Sequence, residues 1–93
     1  MDLNAEIWAD LPVAPGYQVS SYGQVRDPNG KIMLQRKSDS GGCRIDLMGR
    51  TYQVHRLVLT AFTGSGRELG YRPKHRNGDK SDNSLGNLVW HKR

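Results

Sequence analysis

The sequence has 93 residues (10.5 kDa), 35% of them apolar, and a mean hydropathy of −0.72; that supports one small core, and no apolar run approaches the length of a membrane helix. All 14 Lys and Arg follow residue 22, beside six of the nine acids, so that stretch carries +8 within a net charge of +5 and suits a polyanionic partner. The single cysteine, Cys43, excludes an internal disulfide framework, and the acidic start MDLNAEIWAD excludes a signal peptide, so a cytoplasmic protein without a membrane partner is expected.

In chain order, Pro12 and Pro15 argue against a continuing helix in the N-terminal arm, which reads as a turn or two around Asn4–Asp10 followed by extended chain, with Trp8 packed on the body. Tyr17 and Val19 alternate with polar neighbours, Gly23 marks a turn or bulge, and Asp27-Pro28-Asn29-Gly30 is a strong turn signal before Ile32, Met33 and Leu34. Together these predict a small antiparallel meander. Cys43, Ile45 and Leu47 alternate with Arg44, Asp46 and Met48, and Gly49 turns the chain back into Thr51–Val54, a second hairpin with one buried face. At Val54 the period changes. Val54, Leu57, Val58, Ala61 and Phe62 fall on one helical stripe, which Gly64 and Gly66 end. A loop over Arg67–Tyr71 leads to a strand, a long turn and a last strand anchored by Leu88, Val89 and Trp90. The fold class expected is α+β: a β meander and hairpins, one central amphipathic helix, and a C-terminal hairpin. These form one compact domain over residues 1–93, with a β region at 6–53 and the helix and hairpin at 54–93.

The last third gathers His75, Asn77, Asp79, Asp82, Asn83, Asn87 and His91. By composition this is a loop whose polar side chains bond its own backbone. The order of the residues says more. Val54-His55-Arg56-Leu57-Val58, Ala61 and Phe62, followed by His75, Gly78, Lys80, Asp82, Asn83, Asn87, Leu88 and Trp90, resembles the HNH (ββα-metal finger) nucleases of the homing-endonuclease kind. Upstream, Glu6-Ile7-Trp8 and then Tyr17, Val19, Ser20, Gly23, Val25 and Arg26 resemble the DNA-binding module that accompanies those nucleases in phages and mobile elements. The two resemblances span about residues 6–90.

The resemblance implies phosphodiester hydrolysis, in which a neutral imidazole takes a proton from water and a divalent cation, Mg²⁺ or Mn²⁺, stabilises the phosphorane and the leaving oxygen. His75 would be the general base, Asn87 would brace its loop, and Asp82 and Asn83 would hold the turn. The match departs at the metal. The family places a ligand immediately before the catalytic histidine, where this sequence has Lys74, which has no lone pair to give when protonated. The second ligand of the family lies on a helix beyond the asparagine matched by Asn87, and the sequence ends at Arg93, so a hairpin lacking that final helix is expected.

Three readings stay open: a reduced protein that binds DNA, or a phage or host protein, without cutting and without a cofactor; a metal held instead by His91, Asp79 or Asp82; and Lys74 standing in for the cation's charge, or a partner chain completing the site. His55 reads as a packing residue near the finger in preference to a catalytic one. For duplex DNA the candidate contacts are Arg26, Lys31, Arg36, Lys37, Arg44, Arg50, Arg56, Arg72, Arg76 and Lys80.

Overall fold

The computed structural model describes residues 5–64 and 70–92. Three antiparallel sheets surround one helix. The first is ordered β1-β2-β3, from β1 (Trp8–Asp10), β2 (Gln18–Ser20) and β3 (Val25–Arg26). The second is β4-β5-β6, from β4 (Arg36–Lys37), β5 (Cys43–Leu47) and β6 (Arg50–Gln53). Helix α1 (Val54–Thr63) follows β6 directly, and β7 (Tyr71–His75) pairs with β8 (Leu88–Lys92) as the third sheet. Among the described residues no helix is long and apolar enough to cross a membrane.

The alternation in β5 does what its period requires: Cys43, Ile45 and Leu47 are buried, and Arg44 and Asp46 face out. Val19, Val25, Val54, Leu57, Val58 and Leu88 complete one core with them, drawn from all three sheets and the helix. Between β5 and β6 the pair Leu47↔Arg50 leaves a two-residue turn in which Met48 and Gly49 both have positive φ (52° and 83°). This is the turn twist that matches two-stranded ribbons.

Several expectations are corrected. The arm is a strand over Trp8–Asp10, paired residue for residue with Gln18–Ser20, where a helical turn was expected; pairing satisfies backbone groups that one isolated turn would leave open. After the Asp27–Gly30 turn, Ile32 to Leu34 form one isolated bridge (Arg26↔Ile32) and no full strand, and Leu34 is 94% exposed. On α1 Leu59 is buried as well as the predicted stripe, while Ala61 and Phe62 are only partly covered, because the helix has packing partners on more than one side. In the loop expected over Arg67–Tyr71, Tyr71 already belongs to β7, and residues 67–69, like Gly66, lie outside the described residues. A short 3-10 helix, Leu85–Asn87, leads into β8.

Candidate active site

Strand β7 ends on His75, and alternation decides which way its side chains go. Tyr71, Pro73 and His75 are half-buried, and Arg72 and Lys74 are exposed on the other face. His75 Nε2 lies 2.7 Å from Asn83 Oδ1. The amide oxygen can only accept, so the histidine donates from Nε2 and keeps its lone pair on Nδ1. Asn83 is 4% exposed, one of two buried polar residues among the described residues. Turn-holding was the role expected for it; the structure instead aims it inward at the imidazole, eight residues away along the chain.

Asn87 ties the two sides of the loop together. Its Oδ1 accepts from the Asn77 N–H (3.2 Å), and its Nδ2 donates to the Asp82 carbonyl (2.9 Å) and to Asn77 Oδ1 (3.0 Å). The Arg76 N–H donates to the Asn87 carbonyl at 2.7 Å. Beside this brace the N-terminal motif reaches the loop. The buried Ser20 hydroxyl accepts from the N–H groups of Tyr22 and Gln24, closing a turn whose Gly23 has φ +86°. A Cβ on Gly23 would come within 2.8 Å of the Asn83 carbonyl oxygen, and the Leu85 N–H donates to the Ser21 carbonyl at 2.7 Å. The turn of the upstream motif is therefore seated on the segment that holds the partner of His75.

His75 opens on a cleft of about 190 Å³ lined by Ser38, Ser40, Gly42, Cys43, Arg44, Gln53, His55, Pro73 and Lys80. An adjoining hollow formed by Arg36, Lys37 and Asp39 shares Ser38, Ser40 and Arg44 with it, so the basic surface is continuous from β4 to the imidazole. The lysine in the cleft is Lys80. Lys74 is not among the lining residues and stands on the exposed face of β7, whereas Lys80 and Arg44 line the cleft with His75.

The other candidate DNA contacts are dispersed. Arg26 is occupied: its guanidinium lies 4.1 Å over the Trp8 ring and donates to Gln18 Oε1. Arg36 pairs with Asp46 at 2.8 Å. Arg56 donates to Gln53 Oε1 and borders a separate apolar groove with Leu57, Ala61 and Trp90. Lys31 lies in the exposed β3–β4 connection, Arg50 at the start of β6, Arg72 on β7 and Arg76 just after it, all away from the cleft lining.

The candidate metal residues do not gather. Asp79 Oδ1 accepts from the Ser81 N–H and hydroxyl, and Asp82 Oδ1 from those of Ser84; these bonds hold both carboxyls below their usual pKa. One oxygen of each carboxylate is thus engaged in closing a turn. His91 is exposed opposite Arg72, three registers along β8 from Leu88, the partner of His75 where the cleft lies. Among the described residues no three His, Cys, Asp or Glu side chains come together. With Lys74 at the position before His75, the described residues do not by themselves fit a divalent cation.

The cleft holds one further imidazole. His55, in the first turn of α1, meets the His75 ring edge to face with centroids 5.0 Å apart. Its pKa is lowered to about 4, by burial first, then by His75 and Arg56, so it is neutral at ordinary pH.

Two known motifs match the chain. Residues 6–47 match the NUMOD4 motif and residues 52–93 the HNH endonuclease family. The DNA endonuclease I-HmuI of Bacillus phage SP01 is 38% identical over 89 residues, covering 89% of this chain and 51% of its own length. An uncharacterized HNH endonuclease of Acanthamoeba polyphaga mimivirus, L247, is 32% identical over 94 aligned positions, covering 92% of this chain and 24% of its own. A solved structure of DNA binding and cleavage by the HNH homing endonuclease I-HmuI superposes with a TM-score of 0.78 at 34% identity, over 92% of this chain and 52% of that one. The chain spans about half the length of the phage endonuclease.

Proposed function

Because the chain belongs to the HNH endonuclease family, with a NUMOD4 motif ahead of the HNH motif, we propose that it binds duplex DNA with a backbone phosphate at the His75 cleft, and that these 93 residues alone cut DNA weakly or not at all. The observation that carries the binding reading is the cleft itself: an imidazole whose Nε2 is bonded to Asn83, in a cleft also lined by Arg44 and Lys80 and continuous with the basic hollow of β4. Arg and Lys side chains there would neutralise phosphate charge. The same geometry would suit proton transfer, since Asn83 takes the His75 Nε2–H and leaves Nδ1 as the nitrogen that could accept a proton.

The reduced activity rests on Lys74. In its ammonium form it offers donors only, so it cannot take the place of an oxygen or nitrogen ligand to a divalent cation. A second reading, cleavage, is favoured by the orientation of His75. Supercoiled plasmid incubated with Mg²⁺ or Mn²⁺ separates the two. The wild-type chain is expected to leave the plasmid supercoiled. Nicking by the wild type that His75→Ala abolishes would establish the second reading instead.

A further inference from the structure

His55 Nδ1 is buried and has no hydrogen-bond partner, the one buried side-chain polar atom of which this is true among the described residues. A neutral imidazole has one N–H and one lone pair. An unpaired N–H in that position would cost more than an unpaired lone pair, so the proton belongs on Nε2. The Nε2 side makes no hydrogen bond among the described residues, and the ring lines the cleft beside His75, Arg44 and Lys80. A group held in this way has an N–H with nothing in the protein to receive it.

The surroundings favour an anion as the acceptor. His55 lies in the first turn of α1, a ten-residue helix with no side-chain cap at Gln53 and no acidic residue in that turn. Its free N–H groups and dipole therefore carry uncompensated positive character beside the cleft. Depression of the pKa keeps the ring neutral, which makes it a donor whose proton is not lost or gained near neutrality.

We propose that His55 is a substrate-contacting residue of the cleft, donating its Nε2–H to a non-bridging oxygen of the phosphodiester that His75 faces. The two imidazoles then have different parts: His75 presents a lone pair and His55 a proton. This rests on the DNA-binding reading above.

Two measurements test it on the whole chain with a mixed-sequence duplex. In ¹⁵N imidazole spectra, His55 is expected to show a protonated Nε2 in the free protein, with that resonance moving as duplex is added. In anisotropy titrations His55→Leu, which keeps bulk and removes the donor, should bind roughly three- to tenfold more weakly. His55→Gln, whose amide can place an N–H near the same point, should recover most of the loss. A merely structural role would move neither the Nε2 resonance nor the Leu-to-Gln difference. If duplex binds while the His55 resonance stays still and His55→Leu binds like the wild type, the His55 assignment is overturned and DNA binding stands. If the wild type does not bind duplex, both fall. Should His55→Leu fail to fold, the wild-type spectra decide alone.

Discussion

At Asn83 a side chain is buried for one reason that the structure makes visible: its Oδ1 takes the His75 Nε2–H at 2.7 Å. Removing it leaves that N–H without its partner. Asn83→Ala is therefore expected to destabilise the fold by about 1–3 kcal/mol and to release the tautomer of His75, seen as a shift of protonation toward Nδ1 in ¹⁵N spectra. His55 makes a residue-scale prediction of a different kind. Its pKa falls from 6.5 to about 4 on folding, so between those values the unfolded chain binds a proton that the folded chain does not. Stability then falls with acidification across that interval and levels off below it, by about 1–2 kcal/mol once the partial solvent access of the ring is allowed for. Urea titrations at a series of pH values should show this slope, and it should be absent from His55→Gln.

Elements carry the next level. The β2–β3 turn is closed by the Ser20 hydroxyl and is pressed against the backbone of Asn83, with Gly23 at φ +86°. A methyl group there meets the Asn83 carbonyl oxygen at 2.8 Å in a conformation that L side chains avoid. Gly23→Ala should cost about 2–4 kcal/mol, from left-handed strain and overpacking together, and a melting curve measures it. Because the clash falls on Asn83, the His75 imidazole signals should move with it, joining the upstream turn to that ring. The β5–β6 turn presents the opposite case. Met48 is in a left-handed conformation with its side chain 68% exposed. Met48→Asn retains the turn with a residue that tolerates it, and is expected to raise stability by about 0.5–1 kcal/mol. An unchanged or lower melting temperature would show that the Met48 side chain contributes more than its exposure indicates.

For the molecule as a whole, charge is more evenly spread than the site. Of the bases beyond residue 22, among the described residues Arg44 and Lys80 line the His75 cleft, while Arg26 and Arg36 are held by partners within the fold. Duplex binding is expected to weaken steeply with salt, with a slope corresponding to about four to six phosphates. Arg44→Ala and Lys80→Ala should each lower that slope by about 1, whereas Arg26→Ala should act chiefly on stability. Anisotropy from about 50 mM salt upward measures both. Equal slopes for wild type and Lys80→Ala would place the phosphate away from the cleft.

Much of the architecture was legible before any coordinates. The period-two pattern of Cys43–Leu47, the change of period at Val54, and the Asp27–Gly30 turn are properties of neighbouring residues, and strands, helices and turns are decided largely by neighbours. The order of motifs likewise identified the family and singled out His75 and Asn87. The tertiary structure alone decided that Trp8–Asp10 is a strand, since only Gln18–Ser20 alongside it satisfies its backbone. It also decided that Lys80, not Lys74, shares the cleft with His75, because strand alternation turns Lys74 away. The same holds for Gly23 against Asn83 and for the buried nitrogen of His55 beside His75. These pairs join residues twenty to sixty positions apart, and no local spacing specifies them. Three sheets closing on one helix bring them together, so the site becomes definite only when the core is packed.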